Sequence, residues 1–203
     1  MRERIPESVI VNAAGNGIKW ISRDTDGWNG GQWSGIADIG PQTDSNATFI
    51  ETPGTSSTYF NTANNYAVYF LQNDDIPGAS SFYASGTSTD TLHPVRGLTS
   101  NSTQNAFTFD SNRSIKKASE HYVVAEYAYS INFDSTSGDL NLTRSKPWNG
   151  TVSSPFVLAN NISLFTIKNF KGNAGGFIVT VCMTNNDFLG EGEYRICKQK
   201  FVF

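Results

Sequence analysis

Apolar and polar positions alternate most cleanly in the last third of the chain. His121, Val123, Ala125, Tyr127, Tyr129, Ile131 and Phe133 form one face; Tyr122, Val124, Glu126, Ala128, Ser130 and Asn132 form the other. The period of two predicts a long strand lying on a core by its first face. Asp134 to Gly138 reads as a turn, and Asp139 to Arg144 as a return strand with Leu140 and Leu142 inward. Pro147-Trp148-Asn149-Gly150 interrupts the sheet. Phe156 to Phe170 predicts one further strand, apolar on both faces around Ile162, Leu164, Phe165 and Ile167, with a bend at Asn160-Asn161. Phe177, Val179, Val181 and Met183 then alternate with Ile178, Thr180 and Cys182; a turn-rich connection leads into the partner strand, Glu193 to Phe203. Residues 121–203 are thus expected to form an antiparallel meander of about four or five strands.

The earlier part is less regular. Arg2 to Val11 predicts a short helix, with Ile5 and Val9 four apart on one face and Pro6 near its start. Residues 13–120 read as a loop-rich region with short strands, clearest at Gly17–Ile21 and Tyr66–Leu71. His93 and His121 lie in no catalytic constellation. One globular domain over residues 1–203 is the expectation, of α+β class but mostly β. A sheet buries one face against another layer, and nothing here predicts a helix long enough to supply it. The cover is therefore expected upstream of Met1, the alternative being an all-β sandwich.

The two cysteines of the chain, Cys182 and Cys197, fall one in each arm of the last hairpin. An antiparallel return sets them roughly opposite, so they are expected to form a disulfide closing a loop of about 15 residues. Two unrelated buried thiols are the alternative. C-x-x-C, the common redox spacing, is absent, and the separation is not a metal spacing.

Composition adds the setting. Of 203 residues, 16% are charged and 13% aromatic, and the net charge is −3 with no basic run. That balance argues against nucleic acid as a partner. No stretch approaches the roughly 18 apolar residues of a membrane span. Met1-Arg2-Glu3-Arg4 leads into no apolar export segment, so the true N-terminus is expected upstream.

Candidate chemistry centres on Arg23 to Asp38, where Asp24, Asp26 and Asn29 cluster among glycines. Oxygen ligands on a bending backbone suit calcium, although Trp28 and Gly35 stand where an EF-hand loop needs acidic or amide ligands. The bland reading is an Asx-rich surface loop over Trp20, Trp28 and Trp33. Those rings also permit a carbohydrate-binding face. Six Asn-x-Ser/Thr sequons occur, at Asn46, Asn101, Asn112, Asn141, Asn149 and Asn161. Asn46, Asn112 and Asn141 carry an aspartate two residues earlier and are the candidate glycan acceptors. G-x-S-x-G, H-E-x-x-H and P-loop patterns are absent, and the chain is expected not to be an enzyme.

The C-terminal half resembles the globular domain of type IV pilin-like proteins, the group of minor pilins and type II secretion pseudopilins. Tyr122 to Ile131, Gly138 to Arg144, Val157 to Phe165 and the Cys182–Cys197 hairpin carry the likeness. Arg4 to Ile10 resembles the last turns of the family's long N-terminal helix, so residues 1–12 would be its remnant, with the meander packed on it. The resemblance implies a non-enzymatic subunit of a periplasmic pseudopilus or type IV pilus, acting in secretion, adhesion or DNA uptake. Its partners would be other pilin or pseudopilin subunits and secreted cargo. It would be anchored in the inner membrane only through a helix upstream. Some pseudopilins hold calcium in a loop, though in a C-terminal one, so those ligands are not transferred to Asp24 and Asp26.

Overall fold

The computed structural model describes residues 4–39, 48–51, 59–60, 66–71, 79–83, 93–97, 105–109, 119–170, 176–185 and 194–202. The strands are β1 (Ile10–Val11), β2 (Gly17–Arg23), β3 (Ala37–Ile39), β4 (Thr48–Glu51), β5 (Ala67–Phe70), β6 (His93–Gly97), β7 (Asn105–Phe109), β8 (Tyr122–Asp134), β9 (Asp139–Lys146), β10 (Thr151–Val152), β11 (Phe156–Ala159), β12 (Ile162–Phe170), β13 (Gly176–Asn185) and β14 (Tyr194–Val202). A five-residue helix, α1 (Thr25–Asn29), and 3-10 turns at Pro6–Ser8 and Ala79–Tyr83 are the helical pieces among the described residues. The fold is mostly β and antiparallel.

Two compact units share the chain. The first takes Met1–Ser8, Ile21–Ala128 and Ser145–Thr151; the second takes Val9–Trp20, Tyr129–Arg144 and Val152–Phe203.

In the first unit the strand order is β2, β8, β5, β6, β7, β4, β3. Ala67 to Phe70 pair with Ala125 to Tyr122, and all eight residues are buried. Tyr122 and Val124, which strict alternation puts on the polar face, are as enclosed as Val123. Here β8 is an interior strand covered on both sides, and such strands are apolar on both faces. Trp33, Phe60, Phe70, Phe82 and Tyr122 fill the core with Ile5 and Ile21.

The predicted helix over Arg2 to Val11 does not form. Pro6–Ser8 make one 3-10 turn and Ile10–Val11 a strand paired with β2. Ser8 explains the break: its hydroxyl donates to the Ile5 carbonyl at 2.6 Å and accepts from the Ile21 N–H at 2.8 Å. The Ile5 N–H donates to the Ile21 carbonyl at 2.9 Å. The segment is thereby bonded sideways to β2 instead of along its own axis. Ile5 enters the first core and Val9 packs on the second, so they never share a helical face.

In the second unit, β1, β2, β8 and β9 form one sheet, extended beyond β9 by β10 and β11; β12, β13 and β14 form another. Ile18, Ile131, Phe133, Leu140 and Ala159 of the first sheet share a core with Ile162, Phe165, Ile167, Phe177, Val179 and Val181 of the second. The expected single meander on a helical remnant is corrected: the strands divide between two sheets that cover each other, as in the sandwich alternative. The division falls within the segment expected to be one strand. At Asn160-Asn161 the chain leaves β11 and enters β12, and Asn161 takes φ 55°, the left-handed region that Asn tolerates among non-glycine residues.

Two glycines tie β12 down. The Ile162 N–H donates to the Gly138 carbonyl at 2.9 Å and the Ile167 N–H to the Gly15 carbonyl at 2.6 Å. Both glycines have positive φ, 74° and 69°. A β-carbon at Gly15 would stand 3.2 Å from the Ile167 carbonyl, and one at Gly138 3.3 Å from that of Ile162.

The last hairpin matches its sequence pattern. Cys182 pairs with Cys197 in the β13–β14 register, and the two form a disulfide. The bridge closes a loop over a sequence separation of 15, which in the chain-entropy account stabilises by roughly 3 kcal/mol. The Cys182→Ala/Cys197→Ala variant is expected to lose about that amount in urea unfolding, and reduction of the parent should reproduce the loss.

Candidate functional site

Asp24 lies just ahead of α1 and is only 2% exposed. Its carboxylate accepts three donors: the Gly27 N–H at 3.1 Å, the Trp33 indole N–H at 3.0 Å and the Tyr59 hydroxyl at 2.8 Å. Tyr66 donates in turn to Tyr59 at 3.1 Å. A buried carboxylate is costly unless its oxygens are satisfied, and this one is satisfied by protein donors. Gly27 makes the approach possible, because a β-carbon there would collide with the Asp24 carboxylate and the Tyr59 hydroxyl.

That geometry bears on calcium. Asp26 and Asn29 are exposed on α1 while Asp24 is turned inward. Among the described residues no group of three or more His, Cys, Asp or Glu is placed to hold a metal. N–H and O–H groups aimed at both Asp24 oxygens make it a poor calcium ligand, since the cation needs those lone pairs. The Asp24 site fits a structural anchor better than a cation site.

The tryptophans divide. Trp33 is buried and Trp20 stacks on Tyr129 with ring centroids 5.5 Å apart. Trp28 is 45% exposed, its ring tilted on Trp33 at 4.9 Å. Of these three, Trp28 alone offers a broad open face. Among the acceptor sequons, Asn46 and Asn112 lie outside the described residues. Asn141 is half-buried within β9, opposite Val157 of β11, and next to Leu140, which points into the second core. His121 makes an isolated bridge with Ile36 at the entrance to β8.

An open apolar surface lies in the second unit, at positions whose sequence pattern marked them only as strand. Val181 and Met183 face Lys198 and Ile196 across the β13–β14 ladder, so these four share one face of the sheet. The second core takes in Val181 but does not extend to β14: Met183 is 47% and Ile196 53% exposed. A groove of about 530 Å³ results, lined by Asn161, Val181, Met183, Thr184, Ile196 and Lys198. Strand β14 is the outer strand of its sheet and carries Arg195, Lys198 and Lys200, all exposed, with no acidic residue. The alternation of Val181, Met183 and Ile196 was legible as strand; that the facing sheet stops short of them was not.

Replacing Asp24 by Ala leaves the Trp33 and Tyr59 donors unmatched, and is expected to destabilise the fold by roughly 3 kcal/mol in chemical unfolding. Melting of the parent should be the same with calcium as with chelator; a calcium-dependent rise abolished by Asp24→Ala would make the loop a cation site. Burial first, then the hydrogen bonds with Tyr66 and Asp24, pushes the Tyr59 phenol far above the ordinary tyrosine range. Burial does the same to Tyr83, whose hydroxyl donates to the Ser8 carbonyl at 2.7 Å. Both stay protonated in the fold where tyrosines of the unfolded chain ionise, near pH 10. The unfolded state then binds fewer protons, so this stability is fully present below about pH 10 and falls as pH rises above it. Phenolate absorbance should report these two tyrosines only on alkaline unfolding, and Tyr59→Phe should make the alkaline fall in stability shallower. No protein-family model, no curated protein and no solved structure matches this chain.

Proposed function

We propose that the chain is a non-enzymatic subunit of an extracytoplasmic assembly, and in the fuller form of that reading a pilin-like subunit of a periplasmic pseudopilus or type IV pilus. It acts through contacts with neighbouring subunits and with cargo in secretion, adhesion or DNA uptake. The single observation that carries the reading is the disulfide-held β13–β14 hairpin, which presents an apolar groove beside the outer strand of its sheet. A covalently fixed strand beside a largely apolar groove suits strand addition by another polypeptide: backbone bonds supply affinity and the groove supplies selectivity. The disulfide is at home in the periplasm, where such bonds persist. The pilin form rests on the segments Tyr122 to Ile131, Gly138 to Arg144 and Val157 to Phe165 and on the hairpin, because strands cover the C-terminal sheets where the resemblance assigns a helix.

A carbohydrate-binding module is the second reading. It has Trp28 as its exposed ring, while Trp33 is committed to the core and to Asp24. One ring makes a smaller platform than the groove, so the subunit reading is the better supported.

Placing a photo-cross-linking residue at Ile196 in the native cell tests it. The expected product is a covalent adduct with other envelope-assembly subunits, recovered in the envelope fraction. Recovery of the chain only as a free protein, with no protein adduct, would sink the subunit reading.

A further inference from the structure

The second unit holds another uncovered feature, on its other sheet. Strand β11 lies at the margin of that sheet and pairs with β9 alone among the described residues. Phe156 is 66% exposed, and Val157, Leu158 and the neighbouring Val152 are exposed as well. Monomeric proteins commonly blunt such an edge with charge. Here a single proline, Pro155, precedes the strand, and from Pro147 to Ile167 the sequence contains no charged side chain. An apolar, uncharged edge strand is a template for pairing with another chain.

The same unit therefore carries a projecting apolar strand and, elsewhere, an apolar groove beside an open strand. Phe156 pairs with Leu142 at the far end of β11 from the Asn160-Asn161 corner, whereas the groove begins at Asn161. Its exposure shows that it does not fill the groove of its own chain. Charge selects among the ways two copies could join. Pairing β14 with β14 would bring together Arg195, Lys198 and Lys200 of both copies, and like charges close across a ladder are unfavourable. Pairing β11 with β11 carries no such repulsion but leaves Met183 and Ile196 in water. Pairing β11 with β14 avoids repulsion and covers both apolar surfaces.

We propose that β11, led by Phe156, enters the β13–β14 groove of a second copy of this chain and pairs with the open edge of β14, so that copies join head to tail. Such a contact uses a different surface on each partner, and repeats into a ring or an open filament according to its rotation. The inference deepens the subunit reading and rests on it for its setting.

Sedimentation of the full chain tests it, with Phe156→Asp to remove the plug and Ile196→Asp to spoil the socket. The parent should grow beyond a dimer with rising concentration, and each variant alone should associate roughly tenfold or more weakly. An equimolar mixture of the two should recover association but stop at a dimer, since it holds one intact plug and one intact socket. Both positions are exposed; if either variant loses its folded signal, Phe156→Ser and Ile196→Ser replace it. An Ile196→Asp chain that associates like the parent would show β11 pairing with itself and overturn the proposal. So would a mixture that stays monomeric, or a parent that stays monomeric to about 1 mM. A monomeric parent that still cross-links from Ile196 to other subunits in cells ends head-to-tail joining and leaves the subunit reading standing. Head-to-tail joining in solution without any subunit adduct in cells does the reverse.

Discussion

A strand that is apolar on one face requires a second layer, and the architecture of the second unit follows from where this chain finds one. Strands β12 to β14 supply it from the same polypeptide. They can do so because Asn161 turns the backbone through the left-handed region and the carbonyls of Gly15 and Gly138 receive β12. The shared core around Ile18, Phe165 and Ile167 is the result. Its limits matter as much as its centre. Where the two layers cease to overlap, Met183 and Ile196 are left on one sheet and Phe156 on the other.

The first unit solves a different problem, how to keep a carboxylate inside a core of aromatic rings. Asp24 accepts from a backbone amide, an indole and a phenol, and so fixes the start of α1, the position of Trp33 and the Tyr59–Tyr66 pair together. Gly27 is small enough to let the phenol and the carboxylate meet above it. Of the acidic and amide residues there, Asp24 holds the Trp33 indole while Asp26 and Asn29 stay exposed.

The legible parts of the chain were those in which local pattern and final environment agree. The closing hairpin is one: alternation set which residues face together, and Cys182 came to lie opposite Cys197. The bend at Asn160-Asn161 was visible too, but not that it carries the chain from one sheet to another. Alternation predicts exposure for Tyr122 and Val124 because it cannot see that β5 lies alongside and that cover comes from both sides. The Ile5–Val9 spacing suggested one helical face because nothing local reveals that the Ser8 hydroxyl is bonded to Ile21, far along the chain. Asp24 was singled out for its charge and neighbours, but the groups that claim it include Tyr59, a residue of a distant segment. The groove was invisible because it depends on where a facing sheet ends.

The position of the disulfide within its ladder has a mechanical consequence. Peeling of β14 from its Val202 end can release the pairs up to Lys198, but must stop at the covalent rung of Cys182 and Cys197. Ile196 and Met183 lie on the protected side of that stop. A tug that frays the outer half of the strand frees Lys198 from Val181 but leaves the Met183–Ile196 part of the groove at its original spacing, as a knot in a seam keeps the stitches behind it from running.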